Sequence, residues 1–274
     1  MTVLKKIFVV IDPTTDNQTA LASAMQIASR SETVTLHVYE AVYSSGTNTD
    51  VDALQRVELA RHRAWVESLV EPIRAQGKQV EVEIEWTSDW REALVPAAKR
   101  AAADLVVKAA SERSGSRRRM LKKSDWTLLR NSLCPVYLIK NDVLQDGAKV
   151  LVALDIARED ELHSKLNERV IQFGQAFAKA IPDSALHAVN AYADSDNFVY
   201  QPDLADKVGI ERTDAHTIEG VPEKVIPDVA EEIDAGIVII GTASRDGLKG
   251  AVIGNTVEKI LDAIHTNILT VTAQ

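Results

Sequence analysis

The sequence predicts an α/β protein built from two tandem copies of one parallel βαβ unit, each with about five strands flanked by helices. Three observations point there. Apolar runs of strand length alternate with segments of helical period, the pattern of parallel strands joined by crossover helices. The first run, Lys6–Asp12, returns as Lys149–Asp155, and both end in an aspartate. The later elements return in the same order, which marks an internal repeat rather than a chance likeness of one strand.

The elements follow in sequence. Leu21, Met25 and Ala28 mark a first helix, matched by Leu166, Val170, Phe173 and Phe177. Leu36-His37-Val38 is a second strand, matched by Leu186-His187-Ala188. Leu54, Val57, Trp65, Leu69 and Ile73 then place the apolar face of a long helix within residues 50–77. The second copy is 18 residues shorter in this region, as the offset between copies falls from 150 to 132. It has only DSDNFVYQPDLADKVGI, where Pro202 and few apolar side chains predict a loop or a single short turn. One sheet face of the second domain is then short of cover, and the other domain, a second copy of the chain in a homodimer, or an apolar ligand is expected to supply it. Amphipathic helices around Glu92–Pro96 and Glu223–Pro227 precede the strands Leu105–Lys108 and Ile237–Ile240. The last strands are Val136–Ile139 and Ile268–Val271. The domains are thus expected at 1–142 and 147–274, joined across Asn141–Ala148.

Composition limits the function classes. Of 274 residues, 46% are hydrophobic and 26% charged, as in a globular protein with a core. No apolar run approaches the roughly 20 residues of a membrane helix. No export signal is evident between Met1 and Thr15, so a cytoplasmic location is expected. The single cysteine, Cys134, cannot form an intramolecular disulfide or, alone, a cysteine zinc site. Residues 1–142 carry 20 basic and 18 acidic side chains, whereas the rest carry 11 and 22. That division favours contact between unlike halves and disfavours a general nucleic-acid binder. The basic run Arg113, Arg117, Arg118, Arg119, Lys122 and Lys123 has only Trp126 close by and reads first as a solvated loop.

Glycines carry the most informative local signal. Gly241, Gly247, Gly250 and Gly254 punctuate the stretch between the strand Ile237–Ile240 and a helical segment from Asn255. Backbone N–H groups at a helix N-terminus attract anions, and glycines let the backbone approach them.

Strand-Asp, strand-Leu-His, then strand-Gly-x2-Ser-x9-Gly-Asn opening a helix resembles the universal stress protein pattern, in two copies over nearly the whole chain. The resemblance implies Rossmann-like (adenine nucleotide α-hydrolase-like) domains, each a five-stranded parallel sheet of order 3-2-1-4-5, with pairing of sheet edges through the last strand. It also implies a place for ATP or AMP, with Mg²⁺, at the carboxyl ends of the first and fourth strands. In the second copy the matching residues are Asp155, Ala191, Gly241, Ser244, Gly254, Asn255 and Thr256. Ser244 stands where the family has glycine, and Asn255 where it has serine. A Cβ at Ser244 costs about 1 kcal/mol if the turn needs positive φ, which predicts no tight ATP binding. Asn255 is a competent helix cap. Two outcomes stay open: a site for one small ligand, or a glycine loop kept for close strand-to-helix packing.

In the first copy Ala109, Glu112, Lys122 and Lys123 occupy the motif positions, every glycine is gone, and no ATP site is expected. His37 and His187 recur at one strand position and are expected in the core rather than on a metal. No catalytic group is assigned; slow ATP hydrolysis lacks a Gly-Lys-Ser/Thr phosphate loop, and a non-catalytic stress-response protein is the leading expectation.

Overall fold

The computed structural model describes residues 4–29, 31, 33–43, 51–110, 121–158, 160–242 and 254–272. Contacts divide the chain into two compact units, Val3–Ala109 and Ala110–Gln274.

The N-terminal unit runs β1 (Lys6–Val10), α1 (Thr19–Ala28), β2 (Thr35–Tyr43), α2 (Val51–Ala75), β3 (Gln79–Thr87), α3 (Trp90–Arg100) and β4 (Leu105–Ala109). Its strands lie in the order β3-β2-β1-β4, every pairing parallel. Ile7, Phe8, Val9 and Val10 are all buried, as expected of a central strand covered on both faces. The long helix expected at 50–77 is α2, with a different buried stripe. Val66, Val70 and Ile73 are buried, but Leu54 and Val57 are 41% and 63% exposed. Stepping back one turn, the stripe continues to His62, which meets the buried Glu40 of β2.

The C-terminal unit runs α4 (Lys123–Asn131), β5 (Val136–Ile139), β6 (Lys149–Leu154), α5 (Glu161–Ala180), β7 (Ala185–Tyr192), α6 (Gln201–Val208), β8 (Ala215–Glu219), α7 (Pro222–Glu232), β9 (Ala235–Thr242), α8 (Asn255–Ala263) and β10 (Asn267–Thr272). The order is β5-β10-β9-β6-β7-β8, and only the β5–β10 pair is antiparallel. The second repeat is therefore a parallel five-stranded sheet of order 3-2-1-4-5 in its own count. The first repeat's last strand, β5, is grouped with it because Leu138 and Tyr137 lie opposite Ile268 and Leu269. Compact units and sequence repeats thus divide the chain at different places.

Residues 194–210 depart from the expected loop. They form a short 3-10 turn and the two-turn helix α6, with Leu204, Ala205 and Val208 buried. Pro202 falls in the first turn of α6, where a helix has no use for its missing N–H, and Gly209 closes the helix at φ 77°. The sheet face thought to lack cover has this helix packed on β7 and β8. Phe198 and Tyr200 stay 44% and 66% exposed, in edge-to-face contact with each other, and Phe198 also meets Tyr192.

Candidate functional site

Three predicted residues gather at the carboxyl ends of adjoining strands in the C-terminal unit. Asp155 directly follows β6, Ala191 is the penultimate residue of β7, and Gly241 the penultimate residue of β9. Leu154 lies opposite Asn190, and Ala153 opposite Ile240, which brings the three positions side by side.

The turn after β6 is held from two sides. Asn167 of α5 accepts from the Asp155 N–H (3.2 Å) and donates to its carbonyl (2.8 Å). The Asn190 side chain accepts from the Ile156 N–H (3.1 Å). These amides fix the backbone and leave the Asp155 carboxylate outward, 54% exposed, with Arg158 Nε 3.3 Å away. Arg158 in turn reaches His163 Nε2 (3.2 Å), whose Nδ1 lies 2.7 Å from Asp160. The His163 N–H and side chain hold the Asp160 carboxyl below the usual range. Sequence reasoning missed Asn167, Asn190 and Arg158. The one signal available was an asparagine on the apolar face of a helix.

The glycines separate into two kinds. A Cβ on Gly241 would stand 2.6–2.7 Å from the Leu166 side chain, so this glycine serves the packing of α5 on β9. Gly254 has an ordinary φ of −72°, and a Cβ there would meet nothing within 4 Å. Gly254, not Asn255, is the N-cap of α8, and it offers no side-chain cap. Asn255 is one residue further along, inside the first turn, so its side chain is not placed to cap; Asn255 and Thr256 are both exposed. Because α8 leads from β9 to the parallel β10, its N-terminus lies at the same end of the sheet as Asp155. Ser244, Gly247 and Gly250 lie outside the described residues.

The first copy treats the matching positions differently. Asp12 turns its carboxylate back on the chain, accepting from Thr14 N–H (2.9 Å) and Thr14 Oγ1 (2.6 Å). Ala109 ends β4, and the buried Lys108 beside it donates to the Ala109 carbonyl at 2.9 Å. Lys122, which matches Gly254, is the N-cap of α4, and its N–H donates to Asp125 at 2.8 Å. A buried carboxylate thus already sits at that helix N-terminus. The residue matching Asp125 in the second copy is Val257. Lys123 opens α4; Glu112 and the basic residues Arg113–Arg119 lie outside the described residues.

His37 and His187 are both buried, as expected from their recurrence. Among the described residues no group of three or more metal-ligating side chains could hold a metal ion, and no helix is long and apolar enough to cross a membrane.

Comparison with known proteins gives one answer. The model of the universal stress protein family matches residues 4–140 and 200–272. Universal stress protein E of Escherichia coli K12 is 29% identical over 299 residues, covering 99% of this chain and 95% of that protein. A crystal structure from Pseudomonas aeruginosa UCBPP-PA14, assigned to the same family, superposes with a TM-score of 0.83 at 25% identity, covering 98% of this chain and 93% of the other. A universal stress protein from Archaeoglobus fulgidus has the same fold, with a TM-score of 0.73 at 19% identity and 98% and 99% coverage.

Proposed function

This chain belongs to the universal stress protein family, and from that premise we propose that it is a non-catalytic cytoplasmic stress-response protein with a single small-ligand site in its second copy. One contrast carries the proposal. The N-terminus of α8 has no side-chain cap, whereas the matching helix α4 has the Asp125 carboxylate at its own. The first turn of α8 does carry Glu258, but Arg130 binds that carboxylate (2.7 Å), so an anionic group such as a nucleotide phosphate is attracted to the first N-terminus and repelled by the carboxylate at the second. Asp155, exposed and paired at the surface with Arg158, is a contact for the ligand's polar part, and Ala191 lies near the end of the neighbouring strand β7. Gly254 leaves the backbone open to approach.

An adenine nucleotide, with Mg²⁺ accompanying it, is the first ligand to test, and binding weaker than in relatives with the full glycine motif is expected. Native mass spectrometry of the full chain with ATP and with AMP should show no more than one nucleotide per chain, lost in Asp155→Asn. Two nucleotides per chain, or binding unaffected by Asp155→Asn, would contradict the assignment. Incubation with ATP and Mg²⁺ should release no ADP above a protein-free control. Turnover that disappears in Asp155→Asn would overturn the non-catalytic part. A homodimer is part of the same proposal. The exposed Phe198 and Tyr200 support self-association, and sedimentation of wild type against Tyr200→Ser tests it.

A further inference from the structure

Both copies carry a histidine one strand in from the sheet edge, and they surround it with different chemistry. In the N-terminal unit His37 stacks on Phe8, ring centroids 5.4 Å apart. Its Nδ1 lies 3.0 Å from Glu81 and its Nε2 2.8 Å from Glu83, both on the edge strand β3. Each ring nitrogen thus faces a carboxylate, which can only accept. Lys6 and Arg100 complete the network by bonding to Glu81 and Glu83.

The C-terminal unit rebuilds this place with one carboxylate fewer. Phe8 faces His37 across β1 and β2, and Leu151 faces His187 across β6 and β7. On the edge strands, Glu81 and Glu83 lie opposite His37 and Tyr39, while Ala215 and His216 lie opposite Ala188 and Val189. Asp214 and His216 therefore stand where the first copy has Glu81 and Glu83. His216 Nε2 lies 3.4 Å from His187 Nδ1, and Asp214 Oδ1 3.8 Å from the same nitrogen. The two imidazoles stack at 5.6 Å and 24°. Strand β8 has five residues, lies at the sheet edge, and among the described residues pairs only with β7.

We propose that the His187–His216 pair is an acid-sensitive latch, which fastens the edge strand β8 to β7 at neutral pH and lets it loosen when the pair becomes charged. Two neutral imidazoles share one N–H and one lone pair, and they stack without repulsion. Two imidazolium rings at this distance have no acceptor between them and repel. Asp214 acts on both rings and Glu232 on His216 alone, and burial outweighs them at each ring.

The surrounding groups set the direction. Burial lowers the pKa of His187; Asp214 opposes this, and His216 and Lys149 add to it. Burial lowers that of His216 as well, against Glu232 and Asp214. A histidine whose folded pKa is depressed binds more protons when its surroundings open. Its stabilisation is complete above the ordinary value of about 6.5 and declines as pH falls from there toward the folded pKa. The first copy answers its histidine with two carboxylates instead. Lys6 and His37 hold Glu81 below the usual range, and at Glu83 burial is outweighed by Arg100 and His37, so these two groups give up their stabilisation only in the carboxylate range.

Hydrogen exchange of the full chain between pH 7.5 and 5.5, corrected for intrinsic rates, tests the latch. In wild type the amides of Ala215–Glu219 should lose protection by up to about tenfold per pH unit below about 6.5 for each proton taken up. The amides of Gln79–Thr87 should keep theirs over the same interval. His216→Glu rebuilds the first-copy arrangement around His187 and should reverse the trend, with protection of β8 steady or rising as pH falls. His216→Gln, which leaves one titrating ring, guards against a variant that fails to fold and should show a shallower fall than wild type. Flat protection of β8 in wild type would overturn the proposal. So would a loss shared equally by β3, or a variant that loses protection as steeply as wild type.

Discussion

Gly241 and Gly254 are indistinguishable as members of one glycine-spaced motif, and the fold gives them different duties. Leu166, the residue that makes Gly241 necessary, is 75 positions earlier in the sequence, so no local pattern could reveal it. Gly241→Ala should force Leu166 aside and cost about 1–3 kcal/mol in chemical denaturation, the usual range for overpacking. Gly254→Ser should leave stability unchanged or slightly higher, since serine is a favourable N-cap, while weakening ligand binding by obstructing the backbone. A Gly254→Ser protein that binds as wild type would remove this residue from the site. Asp155 and Asp12 were also legible as a pair in the sequence. That one turns outward and the other back onto Thr14 was not, because the difference lies in residues 14 and 158, outside any shared motif.

At the scale of elements, periodicity located the strands and most helices because parallel strands buried on both faces are continuously apolar. It failed where a helix is short or only half covered. In α6, Pro202 reads as a breaker unless the helix begins just before it. In α2, the apolar residues Leu54 and Val57 suggested a face that the sheet does not cover, while His62, with no evident partner in the sequence, lies on the face that it does. The far end of α8 shows a further contact that sequence could not supply. The buried Lys140 donates to the carbonyls of Leu261 (2.7 Å) and Ile264 (2.6 Å), and burial brings its pKa down to about 8. Lys140→Ala would leave both carbonyls without this donor inside the protein. It should destabilise the C-terminal unit by about 2–4 kcal/mol, measurable by urea unfolding. A loss below about 0.5 kcal/mol would show that water replaces the ammonium there.

For the whole molecule, duplication was readable throughout, since both copies keep the order strand-Asp, strand-Leu-His, strand, helix and final strand. Their divergence was only half readable. Loss of the first copy's glycines stood in the sequence. The opposite surroundings of His37 and His187, and the carboxylate at the N-terminus of α4, needed the register and the caps. On these differences rests the proposal that one copy is closed while the other takes a small ligand and responds to mild acid. The most direct test of that asymmetry is a calorimetric titration of the full chain with AMP at pH 7.5, on wild type, Asp12→Asn and Asp155→Asn. One site per chain, retained in Asp12→Asn and lost in Asp155→Asn, is the predicted result. Two equivalent sites, or a single site lost in Asp12→Asn and retained in Asp155→Asn, would contradict it.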